Sequence, residues 1–295
     1  NSFLAFISIV LRVLGKYRHV IYYSHGLDRT RFRYALLNRL YQLLDTFSAS
    51  HSEYNWCLSK NMIAIRKKQG IASGSIFWVP ASIPISSLHR EKNNTSHKMI
   101  FLGVLNDKNG VGILPDIVRE IQKKIPDATL DIMGEGNMKN EIIDKVKNLN
   151  LEKNIHILGN LTFKQFKDLL TYYRVGIVTY KYSTQNLIPT SDSMKMRVYI
   201  AAGLPVVITK GFLFSQEIEE YQLGFSVNYD VKSFANKLIQ ILSNDRLNQK
   251  FRTNALAYSK KLDLIKIYNK TFFNILRKQI NSRVYIKIRQ RINFG

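Results

Sequence analysis

Three short stretches of this chain combine backbone freedom with positive charge, which is the combination an anionic ligand demands. The first is Gly103-Val104-Leu105-Asn106-Asp107-Lys108-Asn109-Gly110, a loop with glycine at each end between an apolar run and a helical pattern. Glycine lets backbone N–H groups approach a phosphate closely. The helix N-terminus offers about half a positive charge, and Lys108 can add a full one. The second is Gly134-Glu135-Gly136, again directly after an apolar run, without the third glycine and distal acid of a dinucleotide fingerprint. The third runs from Pro189 to Val207, where the polar turn Thr190, Ser191, Asp192, Ser193 opens a helix that carries Lys195 in its first turn. A serine or aspartate can cap that helix, and the remaining free N–H groups with Lys195 form a cationic cup. His25 follows the apolar run Val20 to Tyr23 and is the one further titratable candidate; a histidine there also serves as a cap or packing residue. Each stretch taken alone equally fits an ordinary βα turn with a solvated lysine.

The chemistry such groups serve is the departure of a phosphate. Breaking a bond to a nucleoside diphosphate leaves negative charge on the β-phosphate, and preorganised N–H groups and lysines aimed there stabilise it. That chemistry calls for no cofactor, and the chain holds no Asp-x-Asp pair or His cluster that argues for a metal.

The elements that must position these residues follow from the hydrophobic pattern. Beyond residue 98, short apolar runs alternate with amphipathic stretches, which predicts βα units around a parallel sheet. Strands are expected at Met99 to Leu102, Leu130 to Met133, Ile155 to Leu158, Val175 to Thr179 and Val206 to Ile208. Ligands of such sheets bind outside the strands' carboxyl ends, which is where all three stretches fall. Residues 1–85 read as part of a second such unit, with a helix, a strand near His19 to Tyr23, a long helix from Phe32, and apolar runs at Trp56 to Leu58 and Ile76 to Val79. The polar segment 86–97 reads as a linker, residues 98–262 as one doubly wound domain, and 263–295 as a terminal helix and basic tail that packs back across both. The chain opens on Asn1 within a helical run, so the first domain is expected to be incomplete.

Composition narrows the class. The 295 residues carry 44 Lys+Arg against 21 Asp+Glu, a net charge of +23. The charge is denser at the front, with 14 basic and 4 acidic side chains in residues 1–98. Such a field attracts polyanions, whether an anionic leaflet, a phosphorylated substrate or nucleic acid. No zinc finger, RNP aromatic motif or helix-turn-helix pattern supports the last of these. The single cysteine, Cys57, excludes a disulfide framework and fits a reducing compartment. The run Phe3 to Leu14 is too short to span a bilayer and reads as a Rossmann helix.

The order and spacing of these segments resemble the family 4 glycosyltransferases of the GT-B fold. FLGVLNDKNGV, TLDIMGEG, NIHILGNLTFKQFKDLLTYYRVGIVTY and MKMRVYIAAGLPVV followed by GFSV carry the resemblance. VIYYSHG, LLDTFSASHSEYNWCLS and IFWVPASI look like the end of that family's acceptor domain. The resemblance implies an α/β, GT-B-like fold of two Rossmann-like domains. It places the donor diphosphate at Gly103, Lys108, Ser191, Ser193 and Lys195, and the donor nucleotide and sugar at Gly134, Thr190 and Val198. His25 and Asp192 are the implied catalytic candidates. Two departures stand out: the family's arginine after the first glycine is Val104, and its acidic pair falls on Thr190 and Val198. Lys195 matches a lysine of one subgroup, and Asp192 could supply the missing sugar contact. The implied activity is metal-independent, retaining transfer of a sugar from a nucleotide-sugar donor to a lipid-linked or glycan acceptor. It would take place at the cytoplasmic face of an anionic membrane surface, with no nucleic acid partner. A catalytically degenerate nucleotide-sugar-binding homologue and a nucleic-acid-binding α/β protein are the alternatives.

Overall fold

The computed structural model describes residues 2–27, 32–81, 96–181 and 193–276. The expected linker falls mostly on residues 82–95, outside them. The first region runs α1 (Ser2–Val13), β1 (Ile21–Ser24), α2 (Ala35–His51), β2 (Tyr54–Cys57), α3 (Lys60–Lys68) and β3 (Ile76–Trp78), with the strands forming a parallel sheet β1-β2-β3. The long helix expected from Phe32 is α2, which begins at Ala35 and extends to His51.

A buried ion pair ties this region together. The Arg66 guanidinium on α3 donates to both carboxylate oxygens of Asp45 on α2, at 2.5 and 2.9 Å, and to Ser24 at the end of β1 at 2.6 Å. Tyr22 on β1 donates to the same carboxylate at 2.6 Å and lies under the guanidinium, 5.0 Å from ring centre. Arg66 and Asp45 are 0% and 1% exposed. Burial alone raises the Asp45 pKa, but the Arg66 hydrogen bonds and charge outweigh it and hold the carboxyl below its ordinary range. Cys57 is buried beside them, and desolvation pushes its thiol up to about 11, so it is an inert core group.

The second region continues with β4 (Lys98–Leu102), α4 (Leu114–Gln122), β5 (Thr129–Met133), α5 (Lys139–Asn148), β6 (Ile155–Gly159), α6 (Phe163–Leu169), β7 (Val175–Val178), α7 (Met194–Ala201), β8 (Val206–Thr209), α8 (Leu213–Glu220), β9 (Gly224–Val227), α9 (Val231–Leu242) and α10 (Asp245–Ser259). Its six strands are parallel in the order β6-β5-β4-β7-β8-β9, a doubly wound sheet whose strand order reverses between β4 and β7. The central strands β4, β7 and β8 are covered on both faces and read as nearly continuous apolar runs, whereas β6 at the edge alternates buried and exposed residues. Met99 and Phe101 of β4 join the core beneath α4 and α9, while Ile100 joins the one beneath α7 and α8. A buried ion pair, Arg197 to Glu217 at 2.7 Å, links α7 to α8, and Tyr258 of α10 donates to the same carboxylate at 2.8 Å.

A final helix, α11, covers 264–276 and starts where Asp263 caps the Lys266 N–H at 3.0 Å. Its Tyr268 and Phe272 rings meet Trp56 of β2 edge-on at 5.3 and 5.2 Å, and Ile275 joins the same small core. The chain thus returns to its first sheet. On the far side, α1 buries only Ser2, Ala5 and Ile9 and leaves Phe3, Leu4, Val10 and Val13 exposed; α2 similarly exposes Leu36, Leu40 and Leu43. No helix among the described residues is long and apolar enough to cross a membrane.

Candidate functional site

Three loops meet at the carboxyl ends of β4, β5 and β6, and glycine makes the meeting possible. Gly103 donates its N–H to Met133 O at 3.0 Å, and Gly134 donates to Gly159 O at 2.9 Å. Gly134 has φ +148°, a conformation L side chains rarely adopt, and a Cβ there would lie 1.9 Å from Gly103 O. Gly103 has φ +144°, and a Cβ on it would lie 2.9 Å from Lys195 Nζ. The lysine head therefore rests directly on the glycine backbone.

Lys195 reaches that point from the first turn of α7. Ser193 caps the helix, accepting from the Met196 N–H at 3.4 Å, and its hydroxyl also meets the Tyr180 hydroxyl at 3.1 Å. Lys195 Nζ donates to Asn109 Oδ1 at 3.0 Å and sits 4.9 Å from the Phe101 ring centre and 4.5 Å from that of Tyr180. Burial without a compensating charge pushes its pKa down to about 7. Tyr199, one turn further along α7, passes beneath the sheet: its hydroxyl accepts the Leu102 N–H at 2.7 Å, and its ring fills the space over Gly176. Gly103, Asn109, Tyr180 and Lys195 line a cleft of about 590 Å³ with Val104, Glu135, Leu161 and Phe166.

The structure brings together Gly103, Gly134, Lys195 and Val198 as lining residues of one cleft, with Ser193 capping the helix beneath it. Val198 is 6% exposed and presents an apolar surface where the resemblance calls for a carboxylate. Lys108 is not among the lining residues: it is exposed at the tip of its loop, and its neighbour Asn109 faces the cleft instead. His25 is exposed beyond β1 with its ring 4.6 Å from that of Tyr23; partial burial lowers its pKa. It is not a lining residue of this cleft. Thr190, Ser191 and Asp192 lie outside the described residues. Among the described residues, no group of three or more His, Cys, Asp or Glu is placed to hold a metal ion.

Asn109, Tyr180 and Tyr199 carry the geometry and were not singled out from sequence. Tyr180 stands just past the β7 run, where the carboxyl-end rule points, and Asn109 lies inside the quoted glycine loop. Tyr199 gave no such signal, because its task is visible only against Gly176 on a strand 23 residues earlier.

A doubly wound parallel sheet with its cleft at the switch point, joined to a second parallel sheet by a returning terminal helix, defines a GT-B-type protein. Residues 86–257 match the family model for glycosyl transferases group 1, more than half of the chain, and the chain belongs to that family. A poly(ribitol-phosphate) α-N-acetylglucosaminyltransferase of Staphylococcus aureus is 25% identical over 146 residues, 49% of this chain and 28% of that protein. An uncharacterized glycosyltransferase of Methanocaldococcus jannaschii is 30% identical over 76 residues, 26% of this chain and 19% of its own length. The matched stretches thus span less than a third of either curated relative. Among solved structures, Anabaena HepE in complex with UDP superposes with a TM-score of 0.76 at 15% identity, over 94% of this chain and 77% of that one. S. aureus TarM, in a complex that includes UDP, gives 0.68 at 20% identity over 87% and 50%.

Proposed function

We propose that this chain binds a nucleoside-diphosphate sugar in the β4–β7 cleft and transfers the sugar to a lipid-linked or glycan acceptor. One observation carries the reading: a lysine without a carboxylate partner among the described residues rests on a glycine backbone at a capped helix N-terminus, in a cleft of about 590 Å³. A diphosphate satisfies all three features. It supplies the counter-charge, accepts backbone N–H groups at close range, and aligns with the helix dipole. The same groups would stabilise the leaving β-phosphate without a metal. Retention of anomeric configuration belongs to this reading through the family resemblance. The nucleotide-sugar donor is supported by the UDP complexes of HepE and TarM and by the α-N-acetylglucosaminyltransferase name of the S. aureus relative.

Lys195→Ala is expected to weaken UDP binding by about 1.5–3 kcal/mol, the range for a hydrogen bond to a charged group. Calorimetric titration reads this as a loss of roughly tenfold or more. Equal affinity in the variant and the wild type would remove the cleft assignment.

Val198 favours a second reading, a homologue that binds the donor without turning it over, because a buried valine cannot replace a carboxylate toward ribose. Tight UDP-sugar binding with no release of UDP in the presence of acceptor would select it.

The acceptor side is proposed to work at the cytoplasmic face of an anionic membrane. The exposed apolar face of α1 and α2 lies among exposed Lys16, Arg18, Arg33 and Arg39. Basic residues at such a surface contribute about 1 kcal/mol each. Flotation with anionic liposomes should fade as salt rises and be absent with neutral lipid. Salt-resistant RNA binding with no flotation would instead favour a nucleic-acid-binding protein.

A further inference from the structure

Lys195 is held differently from the other cleft-side lysines. Lys139 meets Glu135 and Lys181 meets Asp107, both at 2.8 Å, whereas the acceptor on Lys195 Nζ is the neutral amide of Asn109. That amide has no freedom to flip. Its Nδ2 donates to Val104 O at 2.7 Å, so Oδ1 must face the lysine. The Asn109 backbone is fixed at both ends as well, its N–H by Asn106 Oδ1 at 2.9 Å and its carbonyl by the Thr179 hydroxyl at 2.7 Å.

We propose that Asn109 is the positioning residue of the donor site: its locked amide holds the Lys195 head over Gly103 through a neutral acceptor and leaves the positive charge for an incoming diphosphate. The inference rests on the donor-site reading above. A carboxylate at position 109 would hold the lysine more strongly, but it would cancel the charge and repel the ligand. The neutral acceptor has a cost, since the buried amine loses its proton near pH 7.

The other described titratable groups around Lys195 do not supply that charge. Glu135 lines the same cleft but pairs with Lys139, and Asp107 on the Asn109 loop pairs with Lys181. Lys108 is exposed, Tyr180 presents its ring face, and the Tyr199 hydroxyl is committed to the Leu102 N–H. Binding a diphosphate favours charged Lys195 and raises its pKa, so binding takes up a proton. Affinity must then fall as pH rises from about 7 toward the higher value of the bound state.

The test is calorimetric titration of UDP, with ADP and GDP as alternative bases, into wild type, N109D, N109A and K195A at pH 7, 8 and 9. The diphosphate is fully ionised over this range, its second pKa being about 6. Wild type should lose affinity several-fold per pH unit, toward the tenfold limit of one proton. The near-isosteric N109D should bind at least about tenfold more weakly at pH 7 and show no slope, because its lysine is already charged and paired. N109A removes the acceptor without adding charge, and should lose several-fold in affinity while keeping the slope. N109D with wild-type affinity and slope, or N109A with full affinity, overturns the positioning role and leaves the donor site standing. Wild type that binds none of the three nucleotides, or K195A that binds as well as wild type, overturns the donor-site reading and this inference with it.

Discussion

Replacing Arg66 with alanine is expected to cost about 3–5 kcal/mol, because it strands a buried carboxylate. Asp45 is 1% exposed, and its charge is held by two hydrogen bonds from Arg66 and one from Tyr22, with longer ones from Ser2 and Gln69 at 3.4 Å. Without the guanidinium, burial dominates and Asp45 must take up a proton or draw in water. Either outcome loosens the joint between α2, α3 and β1. Urea denaturation should show a lower midpoint, and the loss should be much smaller in a D45L/R66M double variant, which removes both charges together. The pH dependence follows from the sign of the shift. Asp45 is held below its ordinary pKa, so the pair stabilises the fold above the unfolded carboxylate range and is lost as pH falls through the folded value. An R66A protein with an unchanged midpoint would show that the pair contributes nothing net.

Gly134→Ala should be the most damaging small substitution at the cleft. The added methyl would lie 1.9 Å from Gly103 O and 2.9 Å from Gly103 C, which are backbone atoms that no rotamer change can clear. Overpacking costs about 1–3 kcal/mol and the strained φ of +148° adds to it. The relief available is a shift of the Gly103 loop, which carries the backbone beneath Lys195. UDP affinity should therefore fall together with melting temperature. Gly211→Ala is the control: it has φ +100° but nothing within 4 Å of an added Cβ, so it pays the backbone term alone and leaves the cleft intact. Wild-type melting and UDP affinity in G134A would contradict the three-loop geometry.

The doubly wound sheet was legible because its central strands are buried on both faces and read as unbroken apolar runs such as Met99 to Leu102 and Val206 to Ile208. The sequence pattern located the start of α7 and placed Lys195 in its first turn, since a polar turn before a largely apolar helical run marks a capped helix. Lys108 shows where that reasoning stops. A loop's composition says that a cation is near, but which residue of Lys108 and Asn109 faces the cleft depends on the loop's path, fixed by Asn106 and the positive φ of Gly110. The same limit applies to Arg66 and Asp45, 21 residues apart, whose pairing requires β1, α2 and α3 to be assembled first. The lowered pKa of Lys195 was equally hidden, because it arises from burial and from what does not surround the amine.

The donor diphosphate is proposed to bind over Gly103 at the α7 N-terminus. Backbone amide shifts followed while UDP is titrated into the protein test it most directly, since they report location as well as affinity. Saturable shifts are expected at Gly103, Asn109, Gly134 and Lys195, all at the one cleft. A smaller depression of about 300 Å³ beside Lys210, Ser226 and Lys237 offers an anion a competing place beyond β8 and β9. Saturable shifts confined to those residues, or none anywhere, would show that the diphosphate does not bind over Gly103.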